Sequence, residues 1–318
     1  MNKDNIIIYV SSKNNYDMLE GEVLKNINFE GFEFINIDDN SEGNEVEKGE
    51  KICEANNIIF LKNKKKGVQW ATQTVIDFVI ENRPNCKWVI CFQHDNYPFT
   101  NNFFSIFSHL AESNKINDFG IIGFNHLDDG EYSLYSKYLY KIGLNPSSMI
   151  GIAHLSSKNN RDSILTKRTN FLKMLNPKWK KPFIIEFPIW PSIGINVKLW
   201  NKVIKPTEEL IFHLWLPDIA MQFLSKGKFS LVIPDLYCFN NQKLKEKYGI
   251  NKNSAIGAKN GEEHHFGPYS NFKYWKKKWG WEYENPKENQ KKIKNKFFRM
   301  FIEHDISNGP IKNINLDN

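Results

Sequence analysis

The sequence predicts an α/β protein built on a doubly wound, mainly parallel sheet with helices on both faces, followed by a basic C-terminal helical and loop extension. Three observations carry that expectation. Short strand-like, apolar-rich runs recur at residues 6–10, 32–37, 57–61, 88–92 and 119–124, and the continuous run WVICF at 88–92 has the pattern of a strand buried on both faces. Segments with helical spacing fall between them at a repeat of about 25 to 30 residues, as right-handed strand–helix–strand crossovers require. Several runs then stop at acidic or amide side chains, where open α/β sheets hold ligands.

Composition narrows the classes that remain. With 318 residues, 41% hydrophobic and 14% aromatic, the chain has enough apolar material for a real core. No run approaches the roughly 18 apolar residues of a membrane span. The start, MNKDNIIIYVSSKNN, lacks the apolar length and cleavage site of a signal peptide, so a cytoplasmic location is expected. Cys53, Cys86, Cys91 and Cys238 are scattered without CxxC pairing, which favours reduced thiols over disulfides or a zinc site. The net charge of +7 is concentrated from Lys273 onward and by itself suits nucleotide phosphates, anionic lipid or nucleic acid equally. There is no RNP-like or KH-like motif, so no nucleic-acid partner is expected.

In chain order, IIIYV at 6–10 is a buried strand, and Ser11 to Asn15 a polar loop before a helix over 17–25. The strand at 32–37 ends in Asp38-Asp39-Asn40-Ser41, a helix covers 45–55, and 57–61 is a third strand. After the loop that ends at Gly67, Val68, Ala71, Val75, Phe78 and Val79 share one helical face, and Arg83-Pro84 stops the helix. The strand WVICF at 88–92 meets Gln93, His94, Asp95 and Asn96, with Pro98 beyond. A helix over 102–113 and the strand at 119–124 continue the pattern; residues 126–181 show no clear period. Residues 183–187 are strand-like, and Trp190 to Gly194 reads as a tight turn at a site wall. Pro217-Asp218 precedes the stripe Ile219, Ala220, Phe223, Leu224, which Gly227 closes, and 230–233 is another strand. Residues 240–267 read as polar loop, and a last helix is expected over 288–302.

Each candidate group has a plain reading beside its functional one. Asp38 and Asp39 satisfy a turn, or accept hydrogen bonds from the base or ribose of a nucleotide. Asp95 also belongs to a turn, or holds Mg²⁺ or Mn²⁺ against a diphosphate, since hard cations take oxygen ligands and keep substrate oxygens in their shell; His94 beside it binds metal or simply packs. Asp218 is a helix N-cap, or a carboxylate facing a cleft that takes a proton from an acceptor hydroxyl. His264 and His265 in GEEHHFGPY are a polar loop, or supply a metal ligand, His265 foremost, or a phosphate contact from a mobile lid. The run FKYWKKKWGW at 272–281 docks on the main domain, or with the following helix forms a basic amphipathic surface for anionic membrane.

Taken together, the order of these pieces resembles glycosyltransferase family 2, nucleotide-sugar transferases of the GT-A fold. The resemblance is carried by INIDDNSEG, similar to a strand ending in DDGS; by LKNKKKGVQWATQTVIDF, similar to the segment that opens a helix; by the strand ending at Asp95; and by Pro217-Asp218 followed by IAMQFLSKGKFSLVIPDLYCFN. It covers residues 5–240. It implies a GT-A-like domain over 1–240, with a nucleotide-binding half (1–125) and an acceptor-side half (126–240), and an extension over 241–318. It further implies a nucleotide-sugar donor, a saccharide or lipid-linked acceptor, Mg²⁺ or Mn²⁺, and an inverting transfer, with surface polysaccharide synthesis as a setting; the basic C-terminal segment, for its part, suits peripheral contact with anionic membrane at the inner face. Ser11, Asp38, Asp39, Gly67 and Asp95 would bind donor, Asp95 and His265 metal, and Asp218 would be the catalytic base. The chain departs from the family pattern at Gln93 in the first acid of DxD, at Gln73 or Thr74, at Pro217 and at Asn240.

Two other classes fit parts of the sequence. A nucleotidyltransferase would favour a basic, glycine-rich first loop, and Ser11 to Asn15 has no glycine and only Lys13. A non-catalytic nucleotide-sugar-binding or membrane-surface protein on the same fold would place its function in the basic C-terminal segment.

Overall fold

In the computed structural model the residues described are 2–98, 100–113, 115–128, 152–154, 182–188, 192–210, 214–241, 244–248 and 269–282. The β-branched run β1 (Ile6–Ser12) lies at the heart of the sheet because both its faces are apolar: Ile6, Ile7, Ile8, Tyr9 and Val10 are all buried. A helical stretch α1 begins as Tyr16–Met18, passes through a π-type segment Leu19–Val23 and ends as Leu24–Asn26. Then follow β2 (Phe34–Asp38), α2 (Glu45–Ala55), β3 (Ile59–Lys62), α3 (Val68–Asn82) and β4 (Trp88–Phe92). The four strands pair in the order β3-β2-β1-β4, all parallel, with Ser12 opposite Asp38 and Asp38 opposite Lys62. The chain therefore steps outward from β1 to β3 and returns across β1 to β4. Right-handed crossovers then put α1 and α2 on one face and α3 on the other, and leave a switch point between β1 and β4.

The second half completes a ten-stranded sheet with β5 (Asn96–Pro98), α4 (Phe103–Glu112), β6 (Ile121–Asp128), β7 (Ile152–His154), β8 (Phe183–Pro188), β9 (Ile193–Asn196), α5 (Val197–Val203), α6 (Trp215–Leu224) and β10 (Ser230–Asn240). Only β5, β8 and β9 run against the common direction, so the described sheet is mainly parallel, as expected. Two short helices, α7 (Leu244–Lys247) and α8 (Tyr269–Trp279), come last among the described residues. Within these residues no helix is long and apolar enough to cross a membrane. The expected helix over 288–302 lies outside the described residues, as do Trp190, Pro191, His264, His265 and nearly all of 126–181.

Two expectations are corrected. Ile193 and Gly194 are not part of a turn: they lie in β9, an antiparallel strand inserted between β4 and β6. Alternation in Ile-Gly-Ile-Asn is too short to declare a strand by itself, and the glycine is there for packing. A Cβ on Gly194 would sit 2.6 Å from Cζ of Phe107. That ring belongs to an aromatic cluster under β4 and β6, where Phe107 meets Trp88 and Phe124, and Phe103 meets Phe92 and Phe124 with ring centroids 4.9 to 5.8 Å apart.

The second correction concerns Asp218, which is not an N-cap. The helix begins one turn earlier, after Leu214 in the left-handed region (φ 63°), and the Asp218 N–H already donates to the Leu214 carbonyl at 3.0 Å. Pro217 falls in the first turn, where its missing N–H would have had no intrahelical partner, so the helix passes through it. The strand β10 also runs past the expected 230–233 to Asn240. Its register slips between Ile233 and Tyr237, where Pro234 has no N–H to give to the ladder.

Candidate functional site

The carboxyl ends of β1, β2, β3 and β4 lie side by side at Ser12, Asp38, Lys62 and Phe92, and the residues after them build the site. Asp38 is buried and fully engaged: Oδ1 accepts from the Tyr16 hydroxyl at 2.6 Å and Oδ2 from the Ser41 N–H at 3.1 Å. The second contact closes a local turn and the first fastens α1 to it. Burial of the ring, reinforced by Asp38, holds the Tyr16 phenol far above its ordinary range, so the phenol stays a donor.

Asp39 reaches the other way. Its Oδ1 accepts from the Gly67 N–H at 2.9 Å and from Asn63 Nδ2 at 2.7 Å, and Asn63 is itself oriented by Thr74 Oγ1 at 3.2 Å. Gly67 stands at φ 106° and ψ 157°, a conformation open to glycine and strained for other residues, and it is the N-cap of α3. Asp39 and Gly67, two expected donor-site residues, are therefore in direct contact. Ser11 is half-buried in β1 opposite Ile37.

At the switch point, His94 and Ser12 form a buried polar network that the sequence reading did not anticipate. Asn15 Nδ2 donates to His94 Nδ1 at 3.1 Å, so the ring proton belongs on Nε2, which lies 3.0 Å from Ser12 Oγ. Ser12 in turn donates to Asn36 Oδ1 at 2.5 Å. Burial pushes the His94 imidazole down to about 3, keeping it neutral. With both nitrogens engaged inside the protein, His94 packs; it is not a metal ligand in this arrangement. Asp95 follows it on a two-residue turn closed by reciprocal Gln93–Asn96 backbone bonds of 3.1 Å. The Asp95 carbonyl accepts from Asn241 N–H at 2.7 Å, which ties this turn to the end of β10.

Among the described residues no three His, Cys, Asp or Glu side chains gather as a metal site. Asp95 is half-buried at the turn tip, and a single carboxylate there suits a cation whose other ligands are diphosphate oxygens and waters. His265 lies outside the described residues.

Across from these strand ends, Asp218 is completely buried and carries four hydrogen bonds. Oδ2 accepts from Lys278 Nζ at 2.8 Å, Gln222 Nε2 at 2.9 Å and Gln69 Nε2 at 3.1 Å; Oδ1 accepts from Trp279 Nε1 at 2.9 Å. Gln69 lies two residues beyond Gly67, in the first turn of α3, so the loop held by Asp39 runs straight into a contact of Asp218. Lys278 and Trp279 belong to α8, which docks on the main body through fully buried Trp275. The docking reading of the basic aromatic run is the one observed for residues 269–282; Lys273, Lys276 and Lys277 stay exposed.

Tyr16, Asn63, Gln69, Gln222, Lys278 and Trp279 were not anticipated as site residues. Only Gln222 carried a local signal, since its four-residue spacing from Asp218 puts both on one helix face.

No protein-family model and no curated protein sequence matches the chain. Solved structures do match it. GalNAc-T7, crystallised with UDP, GalNAc and Mn²⁺, is 14% identical with a TM-score of 0.50, covering 96% of this chain and 58% of that one. S. aureus TarS 1–349 in complex with UDP-GlcNAc is 12% identical with a TM-score of 0.47, covering 94% and 73%. The Pyrobaculum calidifontis mannosyltransferase PcManGT, in complex with GDP-Man and Mn²⁺, is 10% identical with a TM-score of 0.41, covering 74% and 56%. This chain thus spans little more than half the length of GalNAc-T7, and at 14% identity the likeness is one of fold. The expected α/β architecture, a mostly parallel sheet on the GT-A plan, is the one observed.

Proposed function

We propose that the chain is a glycosyltransferase that moves a sugar from a nucleoside-diphosphate donor to a saccharide or lipid-linked acceptor with inversion at the anomeric carbon. The observation that carries this reading is the run of contacts from Asp39 through Gly67 and Gln69 to Asp218, which joins the strand ends at the switch point to one buried carboxylate. In this reading Asp39 and the Gly67 loop line the nucleoside, with Ser11 and Asp38 beneath it, in the nucleotide-binding half 1–125. Asp95 would hold Mg²⁺ or Mn²⁺, which when bound neutralises charge on the diphosphate leaving group. Asp218 takes the proton of the acceptor hydroxyl as that oxygen attacks, a contribution of roughly 10²- to 10⁴-fold. Lys278 and Trp279 of α8 cover the fully buried Asp218, so an acceptor reaches the carboxylate when these two side chains are displaced.

The test is ligand-dependent stability. UDP-, GDP-, dTDP- and CMP-sugars are added to the full chain with MnCl₂, and melting temperature and release of the nucleotide are recorded. Binding to the folded state alone at 100 times Kd stabilises by about 2.7 kcal/mol, a readily measured shift. Asp95→Ala should lose the Mn²⁺-dependent part of the shift. No shift and no nucleotide release with any donor would overturn the reading.

A further inference from the structure

The carboxylate of Asp218 is held asymmetrically, and the asymmetry comes from two glutamines whose own orientation is dictated by one stretch of backbone. Gln69 Oε1 accepts from the Thr207 N–H at 3.0 Å, and Gln222 Oε1 accepts from the Lys205 N–H at 2.8 Å. A backbone N–H can only donate, so each amide must turn its NH₂ the other way. Both NH₂ groups then meet the same atom, Oδ2, while their second hydrogens go to the Trp215 carbonyl at 3.3 Å and the Lys205 carbonyl at 3.3 Å. Lys278 Nζ adds a third donor to Oδ2. An ionised carboxylate oxygen has about two lone-pair directions, so Oδ2 is saturated. Oδ1 has the Trp279 indole N–H and, among the described residues, no other donor.

From this we infer that Gln69 and Gln222 are positioning residues that aim Asp218: they pin Oδ2 and leave Oδ1 as the oxygen that receives the proton. The inference rests on the proposed role of Asp218 as base. Of the groups facing the carboxylate, Lys278 on α8 is charged; α3 and α6 present neutral amides, and Trp279 a neutral indole. Gln69 has an added consequence. It sits in the first turn of α3, whose N-cap Gly67 is tied to Asp39, so a shift of that loop is carried directly to the carboxylate.

The experiment uses Gln69→Met and Gln222→Met in the full chain, each keeping side-chain length and removing both donors. Hydrolysis of UDP-GlcNAc, UDP-GalNAc and GDP-mannose with MnCl₂ is followed in H₂O and D₂O, with melting temperatures in parallel. The expected result is a kcat at least tenfold lower, donor KM within twofold, and a larger solvent deuterium isotope effect, because a mis-aimed base slows proton transfer specifically. Combining either change with Asp218→Asn should cost less than twofold further. An unchanged isotope effect, or a loss that tracks only the melting temperature or donor KM, overturns the aiming role. If Asp218→Asn is itself as active as the natural chain, the base assignment fails instead, and the two failures are told apart.

Discussion

Asp39 and Asp218 are both buried carboxylates fastened by amides, and they are fastened over very different distances along the chain. Asp39 accepts from groups 24 and 28 residues on, in the loop that leads to the next helix, and from Asn40 beside it. Those of Asp218 come from 149 residues before it and from 60 and 61 after it, with one further donor on its own helix. The first arrangement is a property of a strand–loop–helix unit, and it stands wherever that unit folds. The second exists only when α3, α6 and α8 have come together. The strand ends at the switch point are also held by neutral groups such as His94, whereas Asp218 faces the cationic Lys278.

Substitutions on the two sides should therefore fail in different ways. The largest effect is expected for Asp218→Asn, which should lower transfer by roughly 10²- to 10⁴-fold while donor affinity stays within a few fold, read by kinetics beside calorimetric donor titration. An active variant would remove Asp218 from the chemistry. Asp39→Ala should act on binding and stability together: the buried Gly67 N–H loses its acceptor, a cost of about 1–3 kcal/mol in urea unfolding, and donor affinity falls with it. Unchanged donor affinity would separate Asp39 from the nucleotide.

His94 sharpens the contrast through pH. Its folded-state value is depressed to about 3 from an ordinary 6.5, so below about pH 6 the unfolded chain takes up a proton that the folded chain refuses. Stability then falls by about 1.4 kcal/mol per pH unit as pH drops from about 6 towards 3. His94→Gln should flatten that slope relative to the natural chain, and equal slopes would show that the imidazole titrates normally. The smallest effect is expected for Gly67→Ala: an L residue at φ 106° costs about 1 kcal/mol or more in unfolding and should weaken donor binding.

Legibility in the sequence follows the same division. The strands β1 to β4 and helices α2 and α3 were readable because their apolar periods are local and long enough to distinguish strand from helix. Asp38 and Asp39 stand out for a similar reason, as polar punctuation at the end of such a run, whereas Gly67 becomes a candidate only through the family resemblance. The strand β9 was not, because four residues carry little period and its glycine answers to Phe107, 87 residues earlier in the chain. The start of α6 was misread because Pro217 usually marks a boundary, and only the Leu214 turn shows that it lies inside one. Gln69, Lys278 and Trp279 had no local signal as partners of Asp218, since nothing near them in sequence specifies a carboxylate.

By itself, then, the amino-acid order determined a mainly parallel α/β sheet and the acidic residues at its strand ends, because burial patterns and turn chemistry act over a few residues. Tertiary structure alone decided what those acids touch. Asp38 became a fastening for Tyr16, Asp39 a clasp on the Gly67 loop, and Asp218 a carboxylate with one oxygen saturated by donors from three helices. The physical reason is that a hydrogen bond to a buried charge depends on orientation within tenths of an ångström, and that orientation is set by helices that meet only in the folded chain.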